Sequence, residues 1–457
     1  MRSPDPLRAP LRPLLAKEVW EILGGRALWT MLLLLCPLIG YSFFQAVSLY
    51  GEASAAASDS PALARGLSPL DGVLVPTLGA FYVAVTLLFP FVAIRVLGSE
   101  KETGALRLLV QLPYGSPTLI AVKLAAVLAA WFLACIPALS ALAIWALLGG
   151  HLHAAETLNL LLGHLLYGLL VGAIALFSAS ISESAATAAI VTLAFTIGSW
   201  VLDFTTAGRP GMLAWISLLS LTQTLHTFEQ GLFSVGLVTG LAAAIFGFAA
   251  LAAVWLPPGI PTRTKFARAA ACVVATAIML GLASQIRAAI DVTEDRRNSF
   301  SAADARTLAQ LNEPLVVTVH LAPEDPRDAD LQRNILAKLE RTLHDVTIRL
   351  AGARQVFATG TADDAYGEVT YAYGAHEAVS RSTSPREVLP LLYGLADVKA
   401  PTAGTVDDYP GYPLVAAGQP ALLWFLAGLP LLIAFAWWRT RRPPRIDWID
   451  VAQGGEP

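Results

Sequence analysis

Long apolar runs recur along the chain, and each has the length that crosses a bilayer as a helix. About eight runs reach the roughly 20 apolar residues that span a hydrocarbon core. They are 27–50, 72–97, 118–148, 157–181, 185–204, 232–256, 269–290 and 420–438. The third run is long enough to tilt or to break at Pro137. The pattern predicts an all-α polytopic membrane protein with about eight transmembrane helices.

Basic residues cluster at the ends of these runs and orient them. The clusters are Arg2, Arg8, Arg12, Lys17 and Arg26; Arg95, Lys101, Arg107 and Lys123; Arg263, Lys265 and Arg268; and Arg439, Arg441, Arg442 and Arg445. With eight spans all of them fall on one side, which the positive-inside rule makes cytoplasmic. Both termini are therefore expected in the cytoplasm. The first run exceeds the apolar part of a signal peptide, so we expect it to be a retained span.

Composition supports a membrane protein and gives no sign of a nucleic-acid-binding or disulfide-stabilised protein. Of the 457 residues 55% are hydrophobic and 14% are charged, whereas soluble domains carry about 25% charged residues. The net charge of −3 gives no nucleic-acid footprint. Cys36, Cys135 and Cys272 all lie inside apolar runs, so we expect no disulfide framework.

Residues 291–419 differ in kind from the rest of the chain, because they hold much of its charge. Strand-like segments at 315–321, 346–350 and 368–373 alternate with helical patterns at 331–343 and 384–393. This order predicts a small α/β domain between the last two spans, on the side opposite the cytoplasm. Residues 400–413 contain several prolines and glycines and are expected to link this domain back to the membrane.

The segment 14–26 before the first span is amphipathic. Its apolar side comprises Leu15, Val19, Ile22 and Leu23, and its charged residues Lys17, Glu18, Glu21 and Arg26 lie elsewhere. Such a helix can lie along the inner membrane surface. A solvated helix that leads into the first span is the alternative.

The connection between the second and third spans, 99–113, has the sequence SEKETGALRLLVQLP. Charged residues lead to Gly104, a short amphipathic helix follows, and Pro113 ends it. A short rigid helix with an apolar ridge, placed between two spans, can receive force from a cytoplasmic partner.

This segment resembles the loop of ABC-2-type permeases, in which E-R-E-x-G-T-L-E-x-L-L-x-x-P precedes a downstream G-K. The matching residues are Glu100, Glu102, Gly104, Leu106, Leu109, Pro113 and Lys123, and the departures are Lys101, Ala105 and Val122. The resemblance implies an ATPase-coupling loop. In it Glu100 and Glu102 would make polar contacts with the ATPase, Leu106 and Leu109 would fill its groove, and Gly104 would permit the bend. Lys101 and Pro113 belong to the same loop. An ordinary charged loop is the alternative.

Two further segments resemble parts of the same transporters. Residues 215–232 are similar to a stretch in the gliding-motility and nitrous-oxide-maturation branches of ABC-2, with His226, Phe228 and Gly231 matching; a re-entrant loop without a specific role is the alternative. Residues 291–321 are similar to the opening of auxiliary gliding-type subunits. The matches there are Asp291, Thr293, Ser301, Leu311, Pro314, Val317 and Val319, and Phe300 replaces a leucine.

The resemblance implies a division of the chain. It consists of a cytoplasmic N-terminal segment (1–26), a permease domain of six transmembrane helices (27–256), a seventh helix (269–290), an extracytoplasmic α/β domain (291–419), an eighth helix (420–438) and a cytoplasmic tail (439–457). It also implies the bacterial inner (plasma) membrane as location, and a homodimer or heterodimer of permeases as the assembly.

The sequence lacks G-x-x-x-x-G-K-[ST], so we expect the chain not to be an enzyme and ATP to be hydrolysed in a partner, a cytoplasmic ABC ATPase subunit. No catalytic residue, cofactor-binding residue or metal ligand is predicted in this chain. The expected function is that of an exporter's permease subunit. Two alternatives stay open: a non-transport scaffold or sensor with a partner-binding outer domain, and an ion-coupled secondary transporter. The second alternative is disfavoured because no predicted span carries a charge at its centre.

Overall fold

The computed structural model describes residues 11–206, 221–311, 313–322, 325–343, 345–350, 365–401, 409–416 and 418–441. Up to the outer domain, these residues form a helical bundle with one short strand pair. In chain order its elements are α1 (Leu11–Gly24), α2 (Arg26–Ala57), α3 (Pro61–Ala64), α4 (Leu70–Thr103), α5 (Ala105–Leu109), α6 (Ser116–Leu147), α7 (Ala154–Ile181), α8 (Ala185–Thr206), α9 (Leu221–Glu229), β1 (Leu232–Ser234), α10 (Val235–Trp255), α11 (Thr262–Ser284) and β2 (Ala289–Asp291).

The elements of the outer domain follow, and a last long helix returns to the bundle. They are α12 (Ala302–Leu308), β3 (Leu315–Val319), α13 (Pro326–Leu331), α14 (Ala337–Thr342), β4 (Val346–Leu350), β5 (Val369–Tyr373), β6 (His376–Ser380), α15 (Pro385–Leu395) and α16 (Gln419–Thr440).

Seven helices within the described ranges are long and apolar enough to cross a membrane: α2, α4, α6, α7, α10, α11 and α16. They confirm a multi-pass helical membrane protein. The remaining predicted span, 185–204, forms helix α8, whose described apolar part, Ala185–Val201, is shorter than the others. A total of eight spans therefore stays a prediction. We call the end of the bundle that carries α1 and α5 the inner end, as the positive-inside rule predicts, and the opposite end the outer end.

Burial separates a central group of spans from a peripheral one. Half to two thirds of the most apolar stretch is buried in α2, α4, α6 and α7, whereas only 6% is buried in α11. Helix α11 packs mainly on α10, and α16 packs on α2. The central four helices therefore form the structural core, and the other spans line its edge.

One predicted break is present, and a pair of short strands changes two of the predicted span boundaries. The regular helix of α6 is interrupted at Cys135, two residues before Pro137, which confirms the predicted break. The predicted boundaries at 232 and 290 were wrong, because residues 232–234 and 289–291 pair as the antiparallel strands β1 and β2. Helix α11 begins at Thr262 and ends at Ser284, not at 269 and 290, and strand β2 accounts for the earlier end.

The outer domain is a four-stranded sheet in the order β4-β3-β5-β6, in which β3 and β4 are parallel and the other pairs are antiparallel. Leu315, Val317 and Val319 alternate with less buried residues along β3 and pack into the domain core. The predicted strands and helices are all present, and the helix expected at 331–343 already begins at Pro326. Strand β6 was not predicted.

The contact between α2 and α16 depends on the absence of a side chain at Gly40. A Cβ atom there would lie 2.3 Å from the Cβ of Phe425, whose side chain is fully buried. Atoms cannot approach so closely, so any larger residue must displace α16.

We therefore predict that Gly40→Ala destabilises the protein by about 1–3 kcal/mol, the usual cost of overpacking a core. Gly79→Ala is the matched control, because a Cβ atom at Gly79 meets no atom within 4 Å. Thermal midpoints measured in lipid nanodiscs would test this, and equal midpoints for the two variants would contradict the tight α2–α16 contact.

Candidate functional site

Helix α1 buries one line of residues, Leu14, Glu18 and Ile22, at the four-residue spacing of a helix face. It packs against α6, with further contacts to α2, α4 and α16. The prediction that Glu18 lies away from the apolar side was wrong, because this residue is only 1% exposed. A carboxylate buried in this way requires a compensating partner.

That partner is Lys123, near the start of α6. Its Nζ donates to both Oε atoms of Glu18 at 3.0 Å and to the backbone oxygen of Val96 at 2.8 Å. Glu100, near the end of α4, completes the arrangement with its Oε2 2.6 Å from the same Nζ. All three charged side chains are at most 2% exposed. One buried ammonium thus connects α1, α4 and α6, and we call Glu18, Glu100 and Lys123 the inner charge cluster.

Lys17 adds a second, more exposed cation at the edge of the inner charge cluster. Its Nζ lies 3.0 Å from Glu21 and 3.3 Å from Glu18, and it also pairs with Glu100. Burial alone would lower the pKa of Lys17, but its bonds to the three carboxylates raise that pKa above its usual range. Burial likewise raises the pKa of Glu18, against the opposing effect of Lys123. Lys17 therefore remains charged at any physiological pH.

Three carboxylates in this region have the spacing of a cation site. Oxygen atoms of Glu18, Glu21 and Glu100 lie within 4.8 Å of one another. The ammonium groups of Lys17 and Lys123 already contact these carboxylates and neutralise them. The cluster therefore acts as a structural ion-pair network that joins helices.

The predicted coupling residues before the glycine lie in different environments. Glu100 belongs to the inner charge cluster and is 1% exposed, so its carboxylate faces the interior and not a partner. Lys101 donates to the backbone oxygens of Ala179, Ser180 and Ser182 at 2.6–2.9 Å and so caps the C-terminal end of α7. Glu102 is exposed. Two of the three charged residues therefore hold the bundle together.

Gly104 makes the turn between α4 and α5. Its φ of 76° lies in the left-handed region, which residues other than glycine adopt only at a cost in conformational energy. Helix α4 ends at Thr103 and α5 begins at Ala105, so the chain changes direction at this residue. The bend predicted at Gly104 is present.

The two leucines of α5 that were expected to contact a partner face the helical bundle instead. Leu106 and Leu109 are partly buried and pack against the helical core. Leu108, in contrast, is 68% exposed, and Leu112 is 44% exposed. Arg107 and Pro113 are exposed as well. The apolar surface that this segment exposes is therefore formed by Leu108 and Leu112.

His226, Phe228 and Gly231 lie at the outer end, remote from the inner charge cluster. Phe228 is fully buried and packs on Gly163 of α7. His226 is exposed beside Glu229 and Gln230. Gly231 has a φ of 75° and packs directly on Thr293. Residues 215–220 of this predicted motif lie outside the described residues.

The matched residues at the start of the outer domain shape its entry loop. The carboxylate of Asp291 accepts hydrogen bonds from Thr293, Asn298 and Ser299. The Ser301 hydroxyl accepts from the backbone N–H of Asp304 and caps α12. Leu311, Pro314, Val317 and Val319 then lead into and along β3, in which Val317 and Val319 are buried. Their roles here are structural.

Sequence reasoning missed the partnership between Glu18 and Lys123, which are far apart in the chain. A signal was nevertheless present, because Lys123 interrupts an otherwise apolar run and an ionisable residue within a span requires a partner. The pattern of residues alone did not indicate which carboxylate that partner is.

Comparison with known proteins adds no family to this description. No family model, no curated protein and no solved structure matches this chain. The likeness to ABC-2 permeases therefore rests on the motifs quoted above alone.

The inner charge cluster can be tested by removing its cation. Lys123→Met leaves Glu18 and Glu100 buried with only the part-exposed Lys17 as a cation beside them. We therefore expect a destabilisation of about 3–5 kcal/mol, seen as a lower thermal midpoint in nanodiscs. Adding Glu18→Gln and Glu100→Gln to the same variant should restore much of this loss.

Lys17→Met is the graded control, because the Lys17 side chain is 42% exposed and water can replace part of its pairing. We expect a clearly smaller effect for Lys17→Met. An equal effect of the two methionine variants would contradict the central role of Lys123.

Proposed function

We propose that this chain is the membrane-spanning permease subunit of an ATP-driven exporter of the ABC-2 type, energised by a separate cytoplasmic ATPase subunit. The observation that carries the proposal is helix α5, a short helix between two spans that exposes Leu108 at the inner end. The function rests on this geometry together with the motif resemblance.

The exposed side of α5 and the residues on either side of it have the chemistry of a docking element. Leu108 and Leu112 offer apolar surface, and the exposed side chains of Glu102 and Arg107 flank it with both signs of charge. Large apolar side chains exposed at an aqueous end of a membrane protein favour insertion into a groove on a partner. The charged neighbours would fix the orientation of that contact.

The inner charge cluster gives α5 a rigid base. A displacement of α5 reaches α4 directly through Gly104. Lys123 passes it to α6 and α1, and Lys101 passes it to the end of α7. Such a continuous set of buried polar contacts can transmit a push from a cytoplasmic motor into most of the core helices. In this proposal two copies, or one copy with a homologue, enclose the pathway.

One observation favours the ion-coupled alternative. His164 of α7 is 2% exposed, and its Nε2 has no hydrogen-bond partner among the described residues. It lies about 15 Å along α7 from the outer end of that helix, by the rise per residue of an α-helix. Ionisable groups at such depth occur in proton relays. Flux that depends on a proton gradient in ATP-depleted vesicles would support this alternative.

The first test is purification of the tagged protein in mild detergent and in nanodiscs, with mass spectrometry for any co-purifying P-loop ATPase. We expect a stoichiometric ATPase that is lost on Leu108→Asp. Leu63→Asp is the matched control, since Leu63 of α3 is 59% exposed at the outer end. Absence of any ATPase in all preparations would favour the scaffold alternative.

The bend at Gly104 provides a second test. Gly104→Val forces a branched side chain into the left-handed region, at a cost of roughly 1–2 kcal/mol or a redirected α5. We expect transport-coupled stimulation of the ATPase to be lost while membrane insertion stays normal. Gly24→Val is the control, because a Cβ atom at Gly24 would also meet no atom within 4 Å, whereas the backbone there has no positive φ. Normal stimulation in the Gly104 variant would contradict the coupling role of this turn.

A further inference from the structure

The outer ends of the core helices are held together by two segments from the C-terminal part of the chain. One is the entry loop of the outer domain, 291–299, and the other is an extended segment, 409–416, which we call the outer strap. The strap crosses the ends of α2 and α3. The Leu414 backbone N–H donates to the Ser54 hydroxyl at 2.9 Å, and Gly411 packs directly on the backbone of Ala64.

Tyr412 is the central residue of the outer strap. Its ring stacks on the imidazole of His151, just before α7, with 3.6 Å between ring centroids and 12° between planes. Its backbone oxygen accepts from the Tyr50 hydroxyl of α2 at 2.7 Å, and its own hydroxyl donates to Glu294. One tyrosine therefore contacts α2, the start of α7 and the entry loop.

Glu294 closes the same arrangement from the side of the outer domain. Its Oε2 lies 2.8 Å from His151 Nε2, and its backbone N–H donates to Glu156 of α7 at 2.6 Å. Burial disfavours its charge, but the hydrogen bonds from Tyr412 and His151 outweigh burial and lower the pKa of Glu294. The bond to Glu294 in turn raises the pKa of Tyr412 to about 12. At neutral pH the tyrosine therefore donates to an ionised carboxylate.

Arg297 attaches the entry loop to α4. Its guanidinium pairs with Asp71 in the first turn of α4 and donates to the Ser68 hydroxyl at 2.8 Å. Asp295 holds the same guanidinium from within the loop, at 3.0 Å. The ends of α2, α4 and α7 are thus all connected through the two C-terminal segments.

The two ends of the bundle differ in how easily water can reach their polar contacts. The charged side chains of the inner charge cluster are at most 2% exposed, so breaking that cluster would strand buried charges. The side chains of His151 and Glu294 are 34% and 25% exposed, so water can replace their contacts when they separate. Separation at the outer end is therefore the less costly movement.

We propose that Tyr412, His151 and Glu294 form an outer clamp that keeps the outer ends of α2 and α7 together, and that release toward the outside requires this clamp to open. The transport step of this inference rests on the proposed function. The existence of the clamp does not, because it concerns this chain alone.

The clamp itself is tested on the purified chain in nanodiscs by amide hydrogen exchange. Tyr412→Ala removes the stack and the bond to Glu294, so we expect exchange roughly tenfold faster in 291–299 and at the outer ends of α2 and α7. Val415→Ala is the matched control, since Val415 lies in the same strap and its side chain is 70% exposed. Unchanged exchange in the Tyr412 variant would overturn the clamp.

Its role in transport is tested by locking the clamp. In a background without Cys36, Cys135 and Cys272, His151→Cys with Tyr412→Cys places one thiol on each side of the stacked pair, and a disulfide formed on oxidation should abolish transport-coupled ATPase stimulation. A reductant should restore the stimulation, and oxidation should not change either single cysteine variant. Normal cycling of the cross-linked protein would overturn the opening step.

The proposed function and the existence of the clamp can be refuted independently of each other. A chain that recruits no ATPase would contradict the proposed function, yet the exchange measurement would still confirm or refute the clamp.

Discussion

The inner end of this protein depends on one buried ammonium group. Lys123 sits within a span at 2% exposure, where an unpaired charge would be prohibitive, and it is tolerated because Glu18 and Glu100 both contact it. Those carboxylates belong to different helices, so the requirement to neutralise Lys123 fixes α1 and α4 against α6. The position of α5 follows from it, because this helix continues from the end of α4.

Inference from sequence succeeds where the signal lies within a single segment. Each span contains enough apolar surface to be recognised alone, so the runs that became α2, α4, α6 and α7 could be predicted without knowledge of their neighbours. The strands β3, β4 and β5 were recognisable for the same reason, from local alternation. Boundaries that depend on pairing between distant segments could not be predicted in this way. Residues 232–234 and 289–291, assigned to two predicted spans, instead form β1 and β2 because they hydrogen-bond to each other.

The candidate site shows the opposite limit. Helical periodicity correctly put Leu106 and Leu109 on one side of α5, but periodicity does not tell which side faces the bundle. Glu18 presents the same problem, since an acidic residue is normally assigned to the polar side of an amphipathic helix. Its burial follows from Lys123, more than a hundred positions away, and such a pair becomes visible only when the helices are packed.

The contrast between the two ends gives the molecule a direction for movement. The contacts of the inner charge cluster are buried and join charged groups, so separating α1, α4 and α6 would leave buried charges unpaired. These helices therefore move as one unit. At the outer end, Tyr412, His151 and Glu294 hold α2 and α7 through partly exposed contacts that water can replace. A force applied to α5 would therefore leave the inner unit intact and appear as separation at the far end. The outer domain, which is attached through Glu294 and Arg297, would move with whichever helix keeps its contact.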